Sequence, residues 1–219
     1  MILSLLAWDR FDDGGWAALL IIGVIAAACL AVHRHYGSTK AALRRIDAQF
    51  EHVPFGSVAT PPAVDPQAPT AVFMVGSSRG GGLHTLLWVQ RMFPGHFRNF
   101  VFVNARAVDA QSYGGAEAMQ AMRLEANVAL KFFENFCHSN GLAAKSILSF
   151  GTDPIEGFVE LCARVREEFP QAIFFTSKLM FRQDNWFVRL LHNQAALVLQ
   201  QRLHLAGMQM VILPMQVEA

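Results

Sequence analysis

Seven consecutive residues, Gly76-Ser77-Ser78-Arg79-Gly80-Gly81-Gly82, stand where an apolar run stops and a helical pattern begins. Backbone N–H groups at the start of a helix can receive an anion, and Arg79 would add a two-pronged phosphate donor. These seven are the candidate ligand-binding residues, with a nucleotide or another phosphorylated compound as the ligand. The run is no Walker loop, because no Gly-Lys-Ser/Thr follows, and it lacks the G-x-G-x-x-G spacing of dinucleotide sites. The competing account is a plain strand-to-helix turn, for which glycines are equally suited.

Residues 76–80 also read G-x-S-x-G, which in hydrolases places a serine nucleophile between a strand and a helix, so Ser78 is a candidate nucleophile. Asp153 or Asp184 with His192 or His204 would complete a triad in the order Ser, Asp, His. Both histidines and Asp184 fall in or at the start of a helical pattern, and no strand precedes the first to hold an oxyanion loop. The expectation is therefore that the chain is not an enzyme. His84, beside the glycines, reads as a helix-start residue facing solvent. The eight histidines and three cysteines form no H-E-x-x-H, C-x-x-C or zinc-spaced cluster, so no metal is assigned. Cys29, Cys137 and Cys162 read as reduced, buried thiols of a cytosolic environment.

The elements that must position these residues alternate. Residues 70–76 are an apolar, β-forming run, and the glycines then open a helix of 83–93, closed by Pro94-Gly95. Residues 99–108 predict a second strand. Residues 115–139 predict a helix with Met119, Met122, Ala126, Leu130, Phe133 and Cys137 on one face, closed by Asn140-Gly141. A third strand falls at 144–150. Asp153-Pro154-Ile155-Glu156 supplies a cap, a proline and a glutamate for a helix ending before Pro170. A fourth strand, 172–179, precedes a helix of 184–206 that would bury Phe187, Leu190, Leu191, Leu197 and Val198 and end at Gly207. The fifth strand is 208–214. Strands alternating with helices predict an α/β domain over 70–219: a five-stranded, doubly wound parallel sheet of order 3-2-1-4-5. The 18 phenylalanines would serve mostly its core, any exposed remainder suiting a partner surface or a second copy of the domain.

Residues 14–32 carry no charge, and as a helix would extend roughly 28 Å. A hydrocarbon core is about 30 Å thick, so 14–36 is expected to be a transmembrane helix. Three aspartates precede it, and His33, Arg34, His35, Lys40, Arg44 and Arg45 follow against Asp47 and Glu51. The positive-inside rule then puts the C-terminal part in the cytoplasm, at an inner or plasma membrane. Residues 1–13 read as the end of an earlier membrane segment or loop, and 37–53 as an amphipathic helix at the membrane surface. Five of the nine prolines fall in 54–69, which is expected to be a linker. A net charge of +1 gives no broad basic face for nucleic acid.

The run Arg10-Phe11-x-x-Gly14-Gly15-Trp16, the apolar helix, His33-Arg34-His35-Tyr36 and the basic stretch to Phe50 resemble the end of the membrane domain in permeases of the amino acid–polyamine–organocation superfamily. Phe93-Pro94-Gly95-His96-Phe97 extends the resemblance into the α/β domain, whose layout is similar to the universal-stress-protein fold that such permeases sometimes carry. The resemblance implies the C-terminal regulatory or assembly part of a carrier, with the lipid bilayer, the carrier's membrane domain and a second α/β domain as partners. The other membrane helices of such a carrier are not in this sequence. Stress proteins that bind ATP also carry a glycine motif beyond the fourth strand, where this chain reads TSKLMFRQDNW. The alternative reading is a single-span sensor binding a nucleotide at the glycine run.

Overall fold

A computed structural model of the chain describes residues 16–49, 60–76, 78–108, 115–181 and 195–217. The chain divides into two compact units, Met1–Ala42 and Leu43–Ala219.

Helix α1, Trp16–Gln49, has 34 residues, its last turns counted with the second unit. The described parts of the apolar run and of the basic stretch after it are thus one continuous helix. Leu20, Ile21, Ile22, Val24, Ile25 and Leu30 are all more than half exposed. Among the described residues no helix is long and apolar enough to cross a membrane. The run 14–32, on which a span was expected, begins outside those residues and includes Ala18 and Val32, whose side chains also lie outside them.

The second unit is built on five parallel strands: β1 (Thr70–Met74), β2 (Asn99–Ala107), β3 (Ala143–Gly151), β4 (Ala172–Phe181) and β5 (Met210–Val217). Their order, β3-β2-β1-β4-β5, is the one expected from the alternation of elements. Helices α2 (Arg79–Met92), α3 (Gly115–Ser139), α4 (Pro154–Glu168) and α5 (Ala195–Leu205) cover its two faces. All five residues of β1 are buried, as befits the central strand of a sheet covered on both sides. Their side chains alternate between two cores. Ala71 and Phe73 join Phe100, Phe102, Phe175, Phe133 and the buried residues of α2. Val72 and Met74 join Val101, Val103, Phe174 and the buried residues of α4 and α5. Much of the phenylalanine is spent in the first core, where Phe73 stacks on Phe102 at 5.3 Å and Phe102 on Phe133 at 5.0 Å.

Local chemistry sets the helix ends. Asp153 accepts a hydrogen bond from Ile155 N at 2.8 Å with Pro154 in the first turn, as expected for α4. Gly141 and Gly207 have φ of 73° and 72°. Leu142 N bonds to Cys137 O and Met208 N to Leu203 O, so α3 and α5 each end in a Schellman motif. That second motif holds Met208 outside the ladder, and β5 therefore begins at Met210, two residues later than expected. Buried Asn99 accepts from Asp65 N and donates to Asp65 O and Thr70 Oγ1, which fastens the residues before β1 to the sheet.

Two expectations need correction. Helix α2 begins at Arg79, not 83, so Gly80, Gly81 and Gly82 are helical and buried. In α5 the buried residues are Leu199 and Leu203, one turn apart, while Leu197 and Val198, roughly 200° and 100° round the helix from Leu199, are exposed. Phe187, Leu190 and Leu191 lie outside the described residues.

Candidate functional site

The hydrogen bond from Val75 N to Val103 O, 3.0 Å, carries the contact between β1 and β2 one residue past the strand, and Gly76 then turns outward, exposed. Beneath it Asn104, 3% exposed, donates from Nδ2 to Val75 O at 2.6 Å, while its Oδ1 is buried with no partner among the described residues. Ser78 takes an extended conformation and caps α2, its Oγ accepting from Gly81 N at 3.1 Å. This cap offsets the poor helix propensity of three successive glycines. Close packing demands at least one of them: a β-carbon at Gly82 would fall 2.5 Å from Phe133 Cζ and 3.0 Å from Val75 Cγ1.

A cavity of about 510 Å³ opens at this end of the sheet, next to β1 and β4, where the order of strands reverses. Gly76, Ser78, Gly81 and Gly82 form one wall. Asp153, Pro154, Ile155 and Phe158 contribute the start of α4, Thr176 and Ser177 come from β4, Ala195, Ala196 and Leu199 from α5, and Met215 from β5. The N-termini of α2 and α4 both border it. Most of the lining is apolar, and its polar groups include the hydroxyls of Ser78, Thr176 and Ser177. Such a cavity suits a ligand with a flat or apolar body and one polar or anionic end.

One anionic group is already at the N-terminus of α2. Asp47, in the last turn of α1 and within the same unit as the sheet, places Oδ1 2.8 Å from Ser78 Oγ and 2.7 Å from Gly80 N, and accepts from both. Gly80 N is one of the donors that a helix start leaves without an internal partner. Here the carboxylate satisfies it.

Of the seven residues singled out by sequence, Gly76, Ser78, Gly81 and Gly82 line the cavity, and Gly80 binds Asp47. Ser77 lies outside the described residues. Arg79 is not in the lining; its guanidinium sits over the Phe132 ring, 5.3 Å from the centroid. The hydrogen-bond partners of Ser78 Oγ are Asp47 and Gly81, with no histidine among the described residues. Asp153 caps α4, His204 is exposed, and Asp184 and His192 fall outside the described residues. His84, expected to face solvent, is half-buried, its Nδ1 buried and without a partner among the described residues. Among the described residues no three His, Cys, Asp or Glu side chains gather as a metal site.

Sequence reasoning missed Asp47, Asn104, Thr176 and Ser177. The two hydroxyl residues could have been found, since they come directly after Phe175, the last β4 residue paired with β1, beside the switch point. Asp47 offered no such signal, lying 33 residues before Gly80 and across the prolines.

No model of a known protein family matches the chain, and no curated protein matches it. A solved structure of a universal stress protein family protein from Arabidopsis thaliana with AMP bound is similar at 15% identity. The similarity covers 67% of this chain and 92% of that one, with a TM-score of 0.42.

Proposed function

We propose that the α/β unit is a non-catalytic regulatory module that binds a nucleotide-sized phosphorylated ligand in the switch-point cavity. The observation that carries this reading is the cavity itself: its volume of about 510 Å³ lies in the usual range for small-molecule sites, and the starts of α2 and α4 both border it. Apolar walls from Ile155, Phe158, Leu199 and Met215 suit a base, and Thr176 and Ser177 suit the hydroxyls of a sugar. The module is carried on α1, whose exposed apolar first half favours insertion in a bilayer, with the basic residues of its second half holding the domain in the cytoplasm. Its place as the C-terminal regulatory or assembly part of an amino acid or cation carrier is supported by the residues from Arg10 to Phe50 that resemble the end of a permease membrane domain.

Titration of the full-length chain in detergent with AMP, ADP, ATP and inorganic phosphate tests the binding. Saturable one-to-one binding of a nucleotide is expected, weakened at least tenfold by Thr176→Val with Ser177→Ala. Absence of binding at millimolar concentration, or binding indifferent to those substitutions, would dismiss the cavity as the site. Carbonate extraction of cell membranes tests the anchor: the chain should remain in the pellet, and its release into the supernatant would count against insertion.

A further inference from the structure

We propose that the free edge of β3 is where a second copy of this chain adds its own β3, antiparallel, about a two-fold axis at Leu148. Among the described residues β3 and β5 are the two outer strands of the sheet, and each offers a row of backbone groups on its outer side. Backbone groups of successive strand residues face opposite edges. Gly151 O accepts from Val108 N next to β2, so Ala144, Ser146, Leu148 and Phe150 turn theirs outward. On β5 Phe174 N donates to Gln209 O, which likewise turns Met210, Ile212 and Pro214 outward.

The two edges start alike. A side chain from the helix before each strand closes the first outward carbonyl: His138 Nε2 stands 3.1 Å from Ala144 O, and Gln200 donates to Met210 O at 3.0 Å. Beyond that point they differ. Pro214 has no N–H to give at its outward position, which interrupts the edge of β5. Ser146, Leu148 and Phe150 keep theirs, and residues 146–150 carry neither a charge nor a proline to repel a strand. Lys145, just before them, has its charge held by Glu168 of the same chain at 2.6 Å.

These features favour a second copy over an unrelated strand. Antiparallel pairing centred on Leu148 sets Leu148 opposite Leu148 and Ser146 opposite Phe150 of the second copy, each pair exchanging two N–H···O bonds. His138 marks where the ladder stops. Charge agrees with this register, because Ser146 donates to Glu134 and Arg123 lies over the Phe150 ring at 5.2 Å. Glu134 of each copy is thereby brought to the side of Arg123 of the other. Helix α3, which carries both charges, also keeps Leu124 and Val128 more than half exposed. With β5 interrupted, β3 finds no continuous edge for head-to-tail addition, so the assembly closes as a dimer. The cavity takes no residue from β3, so the pairing stands apart from the ligand reading.

Cross-linking of the full-length chain in detergent, in a Cys29→Ser background, tests the register. The α-carbons of a hydrogen-bonded pair stand about 5.5 Å apart, within disulfide reach. Leu148→Cys is therefore expected to link two chains on mild oxidation, and Ile212→Cys, outward on β5, is not. By light scattering the unsubstituted protein should weigh two chains. Leu148→Pro, which removes the central outward N–H and none of the bonds to β2, should weigh one with an unchanged circular dichroism spectrum. Should that variant not fold, the cross-link decides alone. A one-chain mass for the unsubstituted protein, a two-chain mass that survives in folded Leu148→Pro, or linking at 148 no greater than at 212 would overturn the proposal.

Discussion

Gly82 and Phe133 approach so closely that a β-carbon on the glycine would stand 2.5 Å from the ring's Cζ and 2.7 Å from its Cε1. The ring cannot easily retreat, because it is 1% exposed and stacked on Phe102. Alanine at 82 would gain about 1 kcal/mol of helix propensity and lose about 1–3 kcal/mol to overpacking. Gly82→Ala is expected to lower the urea midpoint, and adding Phe133→Leu should restore part of it. A midpoint that rises in the single variant would show that the ring gives way.

Asn99 joins Asp65 and Thr70 through three hydrogen bonds of 2.7–3.0 Å and is 1% exposed. Asn99→Ala removes all three and leaves a buried hole beside Thr70 Oγ1, which keeps only its bond to Ala68 O, a loss of about 1–3 kcal/mol. Limited proteolysis of this variant should cut newly at residues 65–69. Unchanged cleavage would mean that those residues are held by other contacts.

Burial acts to raise the Glu134 carboxyl, but hydrogen bonds from Lys131 at 2.7 Å and Ser146 at 2.6 Å, with the charges of Lys131 and His138, outweigh it. The net shift is downward from the ordinary 4.5. The stability gained is therefore complete above that ordinary value and lost as pH falls through the lower, folded one. Glu134→Gln should reduce the acid dependence of the unfolding free energy as pH falls below the ordinary 4.5. An unaltered slope would show that the carboxylate contributes nothing net.

Cys137 and Cys162 are buried, and burial pushes each thiol up to about 12, the Glu134 charge adding to the effect at Cys137. The reactive species is the thiolate, so at pH 8 these two should be silent to a disulfide reagent until the chain is unfolded. Cys29, expected to be buried, is exposed on the chain by itself, so its reaction should be fast without detergent and slowed where micelles cover the apolar half of α1. Fast reaction of three thiols in the folded protein would contradict this burial.

The parts of the fold that could be read in advance are those where local chemistry and tertiary packing agree. Asp153-Pro154 starts α4 because cap and proline suit a helix start on their own, and Gly141 and Gly207 end helices because their φ is positive. The start of α2 was hidden because three glycines in a row argue against a helix. The packing of Gly82 on Phe133 and the Ser78 cap override that propensity. Arg79 looked like a phosphate donor from its place in the run, yet Phe132, more than fifty residues on, holds its guanidinium. Asp47 could not be placed at all from sequence spacing, since nothing in the chain order reveals that the residues before the prolines return to the start of α2.

The position of β1 at the centre of the sheet sets an order of events for the newborn chain. Its five residues leave the ribosome before all other strands, and β2 can pair with one side soon afterwards. The other side waits for β4, about a hundred residues further along, which at typical elongation speeds takes roughly 5–20 s. Throughout that interval Val72 and Met74 have neither Phe174 nor α5 to cover them. The domain is therefore obliged to fold late, after nearly all of it has been made, and its central strand is the one that a chaperone would have to shield longest.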